Sequence, residues 1–236
     1  MVPDNFTTIE FTTANLDRYF IRQSILKAIN SSLIYFNGSL LDIGCGKMPY
    51  KEHIIQNSSI KEYIGLDIEN ALLYDESVNP DFTWNGKTMP FENDQFETAF
   101  ATEVLEHCAE PLQVLQETWR VMKSGGCFFF TVPFLWNLHE VPHDEYRYTP
   151  FALKRLLEAA GFKQIEIKAF GGWHAAMAQM LGLWVRRSPL GNRARKILSV
   201  ILKPFILYLI KKDKKYPLEF TEGQMITGLF GVAFKP

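Results

Sequence analysis

Apolar positions along this chain switch between two periods. Between residues 16 and 35, Tyr19, Phe20, Ile21, Ile25, Ala28, Ile29 and Leu33 recur at mixed three- and four-residue spacing. That predicts an amphipathic helix, and Asn37-Gly38 stops it. Short apolar runs then alternate with helical stretches. Strands are predicted at 39–43, 63–67, 80–84, 95–102, 127–132, 162–170 and 225–234, with helices at 50–56, 111–122 and 151–160. Pro111 and Thr149-Pro150 stand where helices start, and Ser124-Gly125-Gly126 and Gly161 where they stop. A strand, helix, strand order implies right-handed crossovers and parallel pairing.

About fifty residues, 171–223, separate the last two strands. They hold an apolar helix at 174–185, then Arg186-Arg187, and a second apolar stretch at 197–210 broken by Lys203-Pro204. Arg193, Arg195 and Lys196 precede that stretch, and Lys211, Lys212, Lys214 and Lys215 follow it. With an internal lysine it falls short of the roughly 20 apolar residues a membrane span needs. Two alternatives stay open for the insertion. One is a helical lid over the site; the other is an interfacial pair that contacts lipid peripherally, with residues 193–215 supplying charge for head groups.

The candidate chemistry begins at Leu40-Leu41-Asp42-Ile43-Gly44-Cys45-Gly46, an apolar strand running into a tight turn. Free N–H groups of this turn, and of a helix starting beyond Pro49, are expected to face a pocket above the strand end, suited to a carboxylate or phosphate. A dinucleotide turn needs a third glycine where this chain has Pro49, which argues against a nicotinamide oxidoreductase. Asp42 lies two residues before the first glycine, and Asp67 ends the next apolar run. A carboxylate such as Asp67 can accept from both hydroxyls of a ribose; the plainer reading is a turn cap.

This arrangement resembles motif I and the following acid of the class I S-adenosylmethionine-dependent methyltransferases. The run Asp94-Gln95-Phe96-Glu97-Thr98-Ala99-Phe100-Ala101-Thr102-Glu103-Val104-Leu105-Glu106-His107 closely resembles the fourth strand and loop of the type 11, ubiquinone-biosynthesis-like group. The resemblance implies S-adenosylmethionine as cofactor, S-adenosylhomocysteine as product, and cofactor contacts at Asp42, Gly44, Cys45, Gly46, Asp67, Ile68, Asn85, Gly86, Thr102 and Glu103. Related sequences carry an acid-x-x-x-Leu-Pro-Phe pattern where this chain has Asn85 and Met89. Asn85 can still accept a hydrogen bond, or it serves its own turn. The resemblance also places Glu106 and His107 toward the loop or the reaction cavity, and lets the N-terminal helix, through Tyr19 and Arg22, close over the cofactor.

Residues 134–150 show no regular period yet hold His139, His143, three acids, Arg147 and aromatics. Such a loop beyond a strand's carboxyl end is where substrate contacts are expected. His139, His143, His107 and Tyr146 are candidate bases, and Trp136, Arg147 and Tyr148 candidate substrate contacts. The competing structural roles are an N-cap at Thr149, a tie from Arg147 to Asp144 or Glu145, and an orienting bond for His107. His139 and His143 are four apart in a Pro-containing segment, so no metal is expected.

Composition narrows the rest. The 236 residues are 47% hydrophobic and 22% charged, with a formal net charge of -1, as in a globular domain without general attraction to nucleic acid. No Asn-Pro-Pro-Tyr-like segment follows the fourth strand, which also argues against a nucleic-acid substrate. Cys45, Cys108 and Cys127 lack metal-ligand spacing and suit a reducing cytosol, and the N-terminus has no signal-like pattern. A cytoplasmic location, with or without peripheral membrane contact, is expected; oligomeric state is not legible.

These observations predict an α/β, Rossmann-like three-layer sandwich. Its seven-stranded sheet is mostly parallel with the last strand antiparallel, and a helical insertion lies between strands six and seven. A single domain, 1–236, would include an N-terminal helical cover at 14–36 and the insertion at 171–223. The predicted activity is S-adenosylmethionine-dependent methyl transfer to an O, N or C atom of a small-molecule or lipid-like acceptor. A cofactor-binding module without catalysis, membrane-associated or not, is the competing reading.

Overall fold

The computed structural model describes residues 6–69, 79–213 and 219–236. Its strands are β1 (Asn37–Ile43), β2 (Ser59–Ile68), β3 (Phe82–Trp84), β4 (Phe96–Thr102), β5 (Met122–Pro133), β6 (Lys163–Phe170) and β7 (Gly228–Phe234). They form one seven-stranded sheet in the order β3-β2-β1-β4-β5-β7-β6. Pairing is parallel from β3 to β5, and β7 runs antiparallel to both β5 and β6. Strand order reverses between β1 and β4, and in open α/β sheets the crevice beyond such a switch point holds the ligand.

Helices α1 (Tyr19–Ser32) and α2 (Lys51–Asn57) cover one face, and α3 (Pro111–Val121) and α4 (Pro150–Ala160) the other. Adjacent residues of buried strands feed opposite cores. Leu40, Phe100 and Phe129 pack with Ile25, Ile29 and Ile54, whereas Leu41, Phe128 and Phe130 pack with Leu115, Leu153 and Leu157. Thr149 caps α4 by accepting from the Ala152 N–H, Pro150 is its first residue, and Gly161 ends it in the left-handed region.

Several boundaries differ from the sequence expectation, chiefly at β5. It begins at Met122, which pairs with Phe96 of β4, and further along the Gly125 N–H donates to the Lys235 carbonyl and the Lys235 N–H to the Gly126 carbonyl. The Gly-Gly pair thus joins a ladder with the chain end instead of forming a plain loop. β2 likewise starts earlier, where Ser59 pairs with Asn37.

Between β6 and β7 lie α5 (Trp173–Arg187) and α6 (Asn192–Lys212). The apolar stretch that Lys203-Pro204 interrupts lies in one helix: α6 runs for 21 residues with Pro204 inside it. No helix among the described residues is long and apolar enough to cross a membrane. Length is therefore not what prevents a span; the charges of Arg193, Arg195, Lys196, Lys203, Lys211 and Lys212 along α6 do. Lys214 and Lys215 lie outside the described residues.

The insertion docks on the segment preceding α1. Gln179 Nε2 donates to the Asp17 carbonyl at 2.6 Å, and Arg187 Nε to Asp17 Oδ2 at 2.7 Å. Asp213, beyond α6, accepts from the N–H groups of Gly172 and Ala175 at the start of α5. Leu16, Ala178, Val185, Ile206 and Leu209 form a small separate core there. Tyr19 and Arg22 of α1 pack on the rings of Phe11 and Phe6, respectively.

Candidate functional site

The turn after β1 is built around glycines with positive φ, 64° at Gly44 and 47° at Gly46. Its N–H groups are not free, contrary to the sequence expectation. Those of Gly44 and Cys45 both donate to the Leu66 carbonyl, at 2.8 and 3.1 Å, and that of Gly46 donates to Asp67 Oδ2 at 2.9 Å. The β1 and β2 ends are thereby tied into one platform. Asp67 Oδ1 also accepts from the Ile68 N–H, and each oxygen keeps a further lone pair for a ligand hydroxyl. Asp42 lies beneath this platform, almost wholly buried, and takes a 2.6 Å hydrogen bond from the Tyr63 hydroxyl. Burial pushes its carboxyl up to about 7 against the pull of that bond, with the Asp67 charge adding to the rise. The Cys45 thiol is raised by burial and by Asp42, so it fills space as a neutral side chain.

Beside Asp67, half-exposed Ile68 approaches Gly86, whose added Cβ would stand 3.5 Å from Ile68 Cδ1. Asn85 serves its own turn, its Oδ1 accepting from the N–H groups of Lys87 and Thr88 at 2.9 and 3.1 Å. Of its two sequence readings, the turn role is the one seen in the geometry.

Thr102 ends β4, and Glu103 follows at φ 56°. The Glu103 N–H donates to Thr131, and its carboxylate accepts from the Thr131 hydroxyl at 2.8 Å. Burial raises the Glu103 pKa, and Thr131 and Arg147 oppose the rise. Three residues on, Glu106 is fully buried, and neither carboxylate oxygen has a hydrogen-bond partner among the described residues. Burial, then the Glu103 charge, hold its pKa well above the usual range.

The loop after β5 closes over this segment. The Glu145 and Tyr146 N–H groups donate to the Glu106 carbonyl, the Tyr148 hydroxyl to Leu105 and the Tyr146 hydroxyl to Ala109. Arg147 grips Asp144 with two parallel bonds, 2.6 and 2.8 Å, and holds its carboxyl down at about 2. Asp144 Oδ2 in turn lies 3.2 Å from His139 Nδ1 and accepts from the His139 backbone N–H. Burial lowers the His139 pKa, and Asp144 opposes this.

His107 Nδ1 is 3.0 Å from the His143 carbonyl, and the rings of His107 and His139 meet edge to face at 4.7 Å. The structure therefore brings together His107, His139 and Glu106. Of His143 it uses the backbone carbonyl, and Trp136 packs instead against the core on the α1 side. Arg147 and Tyr148 act within the loop, holding its shape. The sequence had no signal for Asp144 as the group orienting His139, since it required the loop to turn back on itself.

Residues 41–130, from β1 to most of β5, match the family model described as a methyltransferase domain, type 11. The match stops short of the His139 loop and the insertion. A curated relative, malonyl-acyl-carrier protein O-methyltransferase of Legionella pneumophila, is 28% identical over 101 residues, 39% of this chain and 35% of its own length. Among solved structures, phosphoethanolamine N-methyltransferase 2 of Haemonchus contortus with S-adenosylmethionine superposes with a TM-score of 0.56 at 15% identity, covering 98% of this chain and 59% of that one. The (4+2) cyclase SpnF superposes at 0.58 and 16% identity, covering 92% and 83%. Residues 41–130 thus resemble a type 11 methyltransferase domain, and the chain has the fold of the class I S-adenosylmethionine-dependent methyltransferases.

Proposed function

We propose that this protein transfers the methyl group of S-adenosylmethionine to an O, N or C atom of a small-molecule or lipid-like acceptor. The observation that carries this is the platform at the switch point, where the Gly44–Gly46 turn, Asp67 and the His107–His139 loop all lie beyond parallel strand ends. The residues fit the cofactor: Gly44 keeps the turn clear, Asp67 offers lone pairs to a ribose, and half-exposed Ile68 beside Gly86 offers an apolar surface to a base. When bound, the cofactor supplies an electrophilic methyl group on a sulfonium. The chain's task is to orient an acceptor in line with the methyl–sulfur bond and to exclude water. In this reading His107 and His139 are the bases closest to hand, with Tyr146 and His143 at the loop's outer side.

Isothermal titration with S-adenosylmethionine tests this, with Asp67→Ala and NADH as controls. Micromolar binding that Asp67→Ala weakens by more than about tenfold, or 1.4 kcal/mol, is expected. No binding by folded, ligand-free protein overturns it. Binding without turnover across O-, N- and C-acceptors would instead favour a cofactor-binding module, a role for which the cyclase's shared fold leaves room.

A lipid-like acceptor is favoured by the insertion. Trp173, Met177, Met180 and Trp184 form an exposed stripe on α5, and Ile197, Ile201, Phe205 and Tyr208 another on α6. Arg186, Arg187, Lys211 and Lys212 flank them. Apolar stripes with basic flanks suit the interface of an anionic membrane, with the helices lying in its plane.

A further inference from the structure

Glu106, His107 and His139 each present one ligand atom, all within 4.8 Å of one another. His107 Nε2 stands 3.7 Å from Glu106 Oε1, too far for a hydrogen bond. Both imidazoles already direct Nδ1 at an oxygen, His107 at the His143 carbonyl and His139 at Asp144. With Nδ1 as donor, each leaves Nε2 as an unprotonated lone pair. The buried Glu106 carboxylate has no donor of its own. Ligand atoms from three side chains thus converge, and the fully buried Glu106 carboxyl group, with no hydrogen-bond partner among the described residues, is costly to hold there without one.

We infer that Glu106, His107 and His139 form a binding site for a first-row transition-metal dication of the zinc type. Two imidazoles and one carboxylate suit such an ion and leave it an open position, whereas Mg²⁺ and Ca²⁺ prefer all-oxygen shells. The surroundings supply the outer shell that metal-bound histidines need: a carboxylate on His139, itself gripped by Arg147, and a carbonyl on His107. Glu140 Oε2, 3.7 Å from His107 Nε2, adds a further oxygen at the rim.

The catalytic consequence rests on the methyltransferase reading above. Such an ion lowers the pKa of a coordinated hydroxyl, so the acceptor class it selects is a hydroxyl or enol oxygen. The hydroxyl proton passes to solvent, the oxygen's electron pair forms the C–O bond, and the C–S bond breaks with its pair left on sulfur. With the ion bound, His107 and His139 serve as its ligands, which replaces the base role given to them above for a metal-free site.

The test is metal binding without S-adenosylmethionine, so its failure is separate from failure of the methyltransferase reading. Untagged, EDTA-stripped full-length protein is titrated with Zn²⁺ by calorimetry and with Co²⁺ followed by visible absorption. One ion per chain is expected, with a Co²⁺ spectrum of nitrogen and oxygen ligation. His139→Ala and Glu106→Gln should each weaken binding at least about tenfold, and Asp144→Asn by roughly 10–100-fold. His53→Ala, at an imidazole bonded to Asn30 outside the cluster, should leave it unchanged. If Glu106→Gln fails to fold, partly exposed His139 provides the decisive variant. No stoichiometric binding by folded protein, or equal binding by His139→Ala and His107→Ala, overturns the proposal.

Discussion

Val104 stands against Gly44, so closely that a Cβ on the glycine would lie 2.7 Å from Val104 Cγ2. The glycine turn of β1 and the loop after β4 are therefore in direct contact, which packs the platform against the segment leading to Glu106 and His107. At φ 64°, Gly44 also holds a conformation that costs other residues of order 1 kcal/mol or more. Gly44→Ala should push the two loops apart and weaken S-adenosylmethionine binding more than tenfold, with calorimetry as the measurement. Unaltered affinity would mean that the loops adjust independently.

Asp144 is almost fully buried, and its two oxygens are matched by the Arg147 guanidinium. A lysine cannot reproduce that fork. Arg147→Lys should lower unfolding free energy by about 1 kcal/mol, and Arg147→Ala by about 2 kcal/mol, because a buried carboxylate is left without its partner. Urea midpoints at neutral pH read the difference, and His139→Ala in the same background should add little, since the ring would already have lost its fixed partner.

Glu97 joins the edge of β4 to its neighbours by accepting from the Ser39 N–H and hydroxyl and from Lys123. Burial alone would raise its pKa; Lys123 and Ser39 bring it down from 4.5 to about 2. A lowered folded-state value stabilises above the unfolded pKa, and that stability is lost as pH falls from about 4.5 through about 2. Discounted for screening by solvent, the contribution is about 1 kcal/mol at neutral pH. Wild type should exceed Glu97→Gln by that amount at pH 7 and converge on it near pH 2; a constant gap would place the effect elsewhere.

Gly182 lets α5 approach the N-terminal segment, since a Cβ there would lie 2.2 Å from the Leu16 carbonyl oxygen. Backbone cannot yield as a side-chain tip does, so Gly182→Ala should cost about 2 kcal/mol. Hydrogen exchange should rise in residues 12–18 and 173–187 and little in the sheet. Uniform change would show that the insertion is not a separate packing unit.

The exposed stripes predict sedimentation with phosphatidylserine vesicles and little with neutral phosphatidylcholine vesicles. Met180→Glu with Trp184→Glu should abolish most of it at unchanged fold, as should high salt in part, through the basic flanks. Equal sedimentation with neutral vesicles would remove the basic residues from the account, and none with either would leave the lid.

Much of this architecture is carried by local pattern. Buried parallel strands are near-continuous apolar runs, so Leu40–Leu41 and Phe128–Phe130 announced themselves, and Thr149-Pro150 and Gly161 marked helix ends through backbone chemistry within a few residues. The glycine turn and Asp67 were legible for the same reason. What neighbours across space decide was not. The turn's N–H groups were taken by Leu66 and Asp67, pairing with Phe96 started β5 at Met122, and Pro204 stayed inside α6. The meeting of His139 with Glu106 and His107 depends on a loop folding back over a strand end, where the Asp144–Arg147 pair, and not sequence spacing, sets the approach. Period and propensity act over a few residues and write themselves into sequence, whereas convergence of side chains from separate loops is settled only when the sheet has placed both loops at one edge.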